Sequence, residues 1–134
     1  MNELTLIASR YDNGELDYLK DDLFRFLATN KKSIRAYQQQ MSARTGKNID
    51  DSTAVKIFLL KVRSVNPIRD MQDQTKQMAT DKIRFQQNGS KNISDEDFAR
   101  IWAEQFSPIW RSERVTTLIY VFERNKHFFL KALD

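Results

Sequence analysis

Glycine and proline are scarce in this 134-residue chain, which holds three of the first and two of the second. Average usage would place about sixteen of the two together in a chain this long. Tight β-turns draw on Gly, Asn and Pro at set positions, so many short strands would be hard to connect here. Few, long elements are favoured, and these are helices. The expectation is an all-α fold, a compact bundle of five or six helices forming one domain over residues 1–134. A chain of this length should bury roughly two-thirds of the surface its unfolded form exposes, enough for one core.

Helix boundaries can be placed from capping residues. Asp12, Glu15 and the pair Tyr11 and Leu16 read as a cap, a capping-box acid and a hydrophobic staple. Behind them Leu16, Leu19, Leu23, Phe26 and Leu27 recur at helical spacing. Asn30 reads as the cap of a second helix, with Ile34, Tyr37 and Met41 inward and Gly46 just past its end. Asp50 or Asp51 caps a third, which carries Val55, Phe58, Leu59 and Val62. Asn66-Pro67 stops that helix and starts a fourth, whose apolar seam is thin: Ile68, Met71, Thr75, Met78 and Phe85. The stretch from Gln86 to Asn92 reads as a mobile loop. Ser94 caps a further helix, with Phe98, Trp102 and Phe106 at i, i+4 and i+8. Ser107-Pro108 starts the last, running from Pro108 to Ala132 as the central helix.

Strand propensity competes with this reading at three places. Thr116 to Phe122 and Val55 to Phe58 are rich in β-branched and aromatic residues, and Leu4, Leu6 and Ala8 alternate. A small sheet from residues 4–8, 54–62 and 115–122 is therefore the runner-up fold, α+β. The caps, and the lack of hairpin turns between these segments, favour helices.

The residue inventory excludes several chemistries. With no cysteine, disulfides, thiolate metal sites and cysteine nucleophiles are ruled out. There is no phosphate-binding glycine loop, no Gly-x-Ser-x-Gly elbow and no His-Glu-x-x-His. Glu123 and the single His127 sit four apart and can share a helix face, but one histidine leaves such a metal site dependent on carboxylates. Asp50-Asp51 and Asp95-Glu96-Asp97 pair acids, yet both clusters lie at helix starts where capping explains them. We expect no enzyme activity, no catalytic or metal residues, no cofactor and no small-molecule substrate. No stretch approaches the roughly 20 apolar residues that span a bilayer, and no leader pattern opens the chain. The expectation is a cytoplasmic protein without a membrane partner.

Charge is unevenly distributed. Residues 1–29 carry three basic and six acidic residues, whereas 30–49 carry five basic residues and no acid. Lys31, Lys32, Arg35, Arg44 and Lys47 form this basic island, with Gln38 and Gln39 between them. Lysines in a first helical turn oppose the helix dipole unless an anion is near. Lys31, Lys32 and Arg35 can therefore hold a phosphate backbone while Gln38 or Gln39 reads base edges. The plain alternative is a solvated face paired with the acidic first helix. Met41 to Val55 looks like a helix-turn-helix, but its Ala43, Gly46 and Val55 offsets do not fit that motif.

Aromatic residues concentrate in the opposite half. Eight of fifteen fall from Phe98 onward, and adjacent Phe128 and Phe129 cannot both face one helix's core. Trp is enriched at binding hot spots, so Trp102, Trp110 and Phe128 are candidates for a partner surface. The expected function is a non-enzymatic helical binding module acting through protein partners or self-association. The alternative is a nucleic-acid-binding regulator that uses residues 31–47.

Overall fold

The computed structural model describes residues 2–89 and 92–134. Among the described residues there are eight α-helices and no strand. They are α1 (Glu3–Asp12), α2 (Asp17–Thr29), α3 (Lys31–Thr45), α4 (Asp51–Lys61), α5 (Pro67–Gln87), α6 (Asp95–Gln105), α7 (Ser107–Arg124) and α8 (Lys126–Leu130), followed by a 3-10 turn over Lys131–Leu133. The all-α class holds, and the three segments of the alternative sheet lie in α1, α4 and α7. In α7 the buried positions are Thr117, Leu118, Val121 and Phe122, spaced i, i+1, i+4 and i+5. That stripe follows a helix's period, and burial on it outweighs the strand preference of β-branched residues.

The count of eight exceeds the expected five or six for two local reasons. First, residues 3–12 form a helix of their own, capped by Asn2 Oδ1, which accepts from the Thr5 N–H at 2.8 Å. Asp12 is therefore the end of α1 rather than the cap of α2. Gly14, at φ +77°, turns the chain, and α2 begins at Asp17 with no side-chain cap. Second, the last helix breaks at Asn125, whose backbone leaves the helical region (φ −134°, ψ 38°). Asn125 Nδ2 donates to Tyr11 Oη at 2.6 Å and to the Val121 carbonyl at 3.3 Å. These bonds satisfy the polar groups of a break that lets α8 turn away.

The other caps divide. Asp50 accepts from Thr53 N–H at 2.7 Å, Asn66 from Arg69 N–H at 3.1 Å and Ser94 from Asp97 N–H at 3.1 Å, as their sequence positions imply. Gly46 ends α3 in the left-handed region at φ +68°. Asn30 occupies the cap position of α3 but makes no side-chain cap; its Nδ2 donates back to the Phe26 carbonyl at 2.8 Å, closing α2 instead. Phe106 is the single residue between α6 and α7, and α7 begins at Ser107 itself. Gln86 and Gln87 of the expected loop are the last turn of α5, and Asn88-Gly89 ends it. Ser90 and Lys91 of that loop lie outside the described residues.

The helices gather into two compact units, Met1–Val65 with Val115–Asp134, and Asn66–Arg114. The core of the first is built on α2, whose Leu19, Leu23 and Leu27, with Leu16 just before it, are sealed against Ile34, Val55, Leu59, Val121, Phe122 and Phe129. Each such side chain contributes roughly 1.5–3 kcal/mol by leaving water. Tyr11 fastens α1 onto this unit: its ring meets Tyr120 edge-on at 5.7 Å, under the Arg124 guanidinium at 4.8 Å. The second unit holds α5, α6 and the start of α7. Among the described residues only Phe98 and Trp102 are buried there, and α5 buries none of its 21 residues.

Candidate interaction surfaces

The basic island of α3 divides into side chains bonded within the fold and side chains that face solvent. Arg35, half-buried, places Nη1 2.6 Å from Asp51 Oδ1 and 3.1 Å from Gln38 Oε1, with Nη2 3.4 Å from the Leu133 carbonyl. Gln38 Nε2 donates to the Ile49 carbonyl at 2.7 Å and to the same Asp51 oxygen at 3.0 Å. These two residues thus join α3 to the start of α4 and to the C-terminal turn. The Gln38 and Arg35 bonds hold the Asp51 carboxyl below its ordinary range. The ion pair that pins the island comes from Asp51 of α4, not from the acidic first helices. Lys31 Nζ donates to the Asp134 carbonyl at 3.2 Å. Lys32, Gln39, Arg44 and Lys47 are exposed. Within α3 itself the outermost cations, Lys31 and Lys32 against Arg44, stand ~20 Å apart along the helix rise.

Glu123 and His127 do not share one helix: the break at Asn125 leaves the first in α7 and the second in α8. Glu123 binds Lys56 Nζ at 2.7 Å and Lys126 Nζ at 3.3 Å, and the Lys56 bond holds its carboxyl below the usual range. No cluster of three metal-ligating side chains occurs among the described residues. The Asp50 and Asp95 carboxyls are also lowered, chiefly by hydrogen bonds to Thr53 and to Lys82. The carboxyls of Asp50, Asp51, Asp95 and Glu123 are thus each stabilised as the anion.

The three aromatic candidates fall in different settings. Trp102 is 4% exposed, and its indole N–H donates to Asp81 Oδ2 at 2.9 Å. It is core to the second unit rather than surface, with Phe85 and Phe106 stacked about the neighbouring Phe98 at 5.4 and 6.4 Å. Trp110 is half-buried beneath the Arg114 guanidinium at 4.7 Å. Phe128, in the first unit, is 50% exposed. Its ring rests on Phe24 of α2 at 4.9 Å and meets Phe129 edge-on at 5.2 Å. The helical period separates the two adjacent phenylalanines as expected: Phe129 is sealed in the core and Phe128 stands outside it, braced by rings on two sides.

Sequence reading missed Phe24, and took Asp51 as a cap or capping-turn acid without its bonds to Arg35 and Gln38. Phe24 lies at the margin of α2's apolar stripe and has no distinguishing local pattern; its partner is 104 residues away. Asp51 carried a signal, since Asp50-Asp51 holds two acids where one suffices as a cap. No family model, curated protein or solved structure matches this chain. No helix among the described residues is long and apolar enough to cross a membrane.

Proposed function

We propose that this all-α chain is a non-enzymatic interaction module that binds protein partners, with Phe128 as its anchor. The observation that carries the reading is that ring: half exposed, yet held between Phe24 and Phe129. A fixed aromatic side chain gives a partner large contact area while losing little rotamer freedom, which is the usual property of a binding hot spot. The carboxyls of Asp51, Asp95 and Glu123 are held below the range suited to proton transfer near neutral pH, which leaves these three ill-suited as general acids or bases. We place the module in the cytoplasm, a setting that its cysteine-free composition suits.

The second reading, nucleic-acid binding, is favoured by the exposure of Lys32, Arg44 and Lys47. Against it stand Arg35 and Gln38, whose polar groups are committed within the fold. Affinity capture from nuclease-treated native lysate separates the two, comparing the wild type with Phe128→Asp and with Lys31→Ala/Lys32→Ala. Loss of the captured proteins with Phe128→Asp alone is the expected result. Loss with the lysine pair, or on nuclease treatment, would favour nucleic acid.

A further inference from the structure

We propose that Asn88 is a self-modifying residue: with Gly89 it closes to a succinimide and hydrolyses to aspartate and isoaspartate in the folded protein. The sequence holds two Asn-Gly pairs, Asn13-Gly14 and Asn88-Gly89. Glycine has no Cβ to shield its amide nitrogen or restrict its rotation, so the two pairs share one intrinsic reactivity. Both follow a helix, both are exposed, and both glycines stand at positive φ, +77° and +87°. What separates them is the bonding of each glycine N–H.

In the reaction the Gly89 backbone nitrogen attacks Asn88 Cγ. An N–Cγ bond forms, and the side-chain nitrogen leaves as ammonia with the Gly89 amide proton. Water then opens the ring. Cleavage at Cγ leaves aspartate, and cleavage at the backbone carbonyl carbon leaves isoaspartate, with the chain running through the side chain. One water is consumed and one ammonia released. Either product places a new carboxylate at the negative end of the α5 dipole. Ring closure needs a free glycine N–H and a peptide able to swing away from near-helical ψ, 1° at Asn13 and 32° at Asn88.

At Asn13 that swing is resisted. Gly14 N–H donates to the Tyr11 carbonyl at 3.1 Å, and Glu15 N–H to the Arg10 carbonyl at 3.0 Å. Leu16, two residues beyond Gly14, is sealed in the core and fixes the chain on that side. Reaction there waits for the turn to open, and its rate is scaled down by that opening equilibrium. Asn88 differs. Its own N–H donates to the Arg84 carbonyl at 3.1 Å, a bond that lies ahead of the rotating one and need not break. Among the described residues Gly89 N–H has no partner. A Cβ on Gly89 would meet nothing within 4 Å, whereas one on Gly14 would meet Asp17 Oδ2 at 3.3 Å.

Incubation of the full chain in mildly alkaline buffer tests this, followed by brief tryptic digestion and mass spectrometry. Cleavage after Arg and Lys puts the two pairs in separate peptides, 11–20 and 85–91. The amide-to-acid mass gain should appear at Asn88 at least about tenfold faster than at Asn13, the latter being held back by the closed turn. Electron-transfer fragmentation should find isoaspartate as well as aspartate at position 88. In urea, where the turn is lost, the two rates should converge. Equal rates in the folded chain, or faster conversion at Asn13, would overturn the proposal. So would a folded chain that stays unmodified at Asn88 while the urea-unfolded chain converts, or a gap between the two sites that persists in urea.

Discussion

Replacing Asp51 should separate the structural part of the basic island from the part that faces solvent. The carboxylate receives two bonds, from Arg35 Nη1 at 2.6 Å and Gln38 Nε2 at 3.0 Å. Charge-assisted bonds that are protected from water contribute about 1.5–3 kcal/mol, and exposed ion pairs about 0–1. The two side chains are 37% and 41% exposed, so solvent screening sets the coupling near ~1 kcal/mol. Asp51 also lies in the first turn of α4, worth a further ~0.3–1 kcal/mol against the helix dipole. Asp51→Ala should then destabilise by ~1–2 kcal/mol, and a double-mutant cycle with Arg35→Ala should return ~1 kcal/mol of coupling. Lys31→Ala/Lys32→Ala should stay within about 0.5 kcal/mol. The assay is urea unfolding followed by far-UV circular dichroism. Both tryptophans lie within residues 66–114, so circular dichroism rather than their fluorescence is the signal that follows the unit containing Asp51. The gap between wild type and Asp51→Ala should also depend on pH. The folded-state pKa lies below the unfolded value of about 3.9, so the unfolded chain binds more protons in between. The stabilisation is complete above that unfolded value and is lost as pH falls through the folded one. A gap that persists unchanged at pH 3, or a vanishing coupling, would refute the assignment.

Two further outcomes follow from the same packing. Phe129→Ala removes a fully buried ring from the first unit and should cost about 3–5 kcal/mol, measured by the same unfolding curve, whereas Phe128→Ala should cost about 1 kcal/mol or less because half its surface is already wet. Gly46→Ala meets no neighbour, so its only penalty is a side chain at φ +68°; a loss of about 1 kcal/mol, read as a lowered urea midpoint, is expected.

The fold class was legible because scarcity of Gly and Pro is a property of the whole chain and leaves little room for hairpins. Caps at Asp50, Asn66 and Ser94 were legible because a short polar side chain before an apolar run acts over three residues. The caps that misled, Asp12 and Asn30, obey the same local pattern. At Asp12 a preceding helix ran on through the residue, and at Asn30 the amide turned back to close α2. The break at Asn125 depends on the Tyr11 hydroxyl, 114 residues away in sequence, and no local pattern announces it. The island shows the same limit. Its charges were plain, but their commitment to Asp51 and to the Ile49 and Leu133 carbonyls is a matter of tertiary placement. The hot-spot preference of tryptophan made Trp102 a candidate surface residue, whereas its place in the Phe98, Trp102 and Phe106 stripe is that of a core residue, and there it is buried with its indole bonded to Asp81.

As proposed, Phe128 contacts a protein partner while the exposed face of α3 does not. Site-specific photocrosslinking measures this directly, with a photoreactive phenylalanine at position 128 in one sample and at position 39 in another, each irradiated in native lysate. Discrete protein adducts from position 128, and few or none from position 39, are predicted. Adducts to nucleic acid from position 39, or equal adduct patterns at both positions, would contradict it.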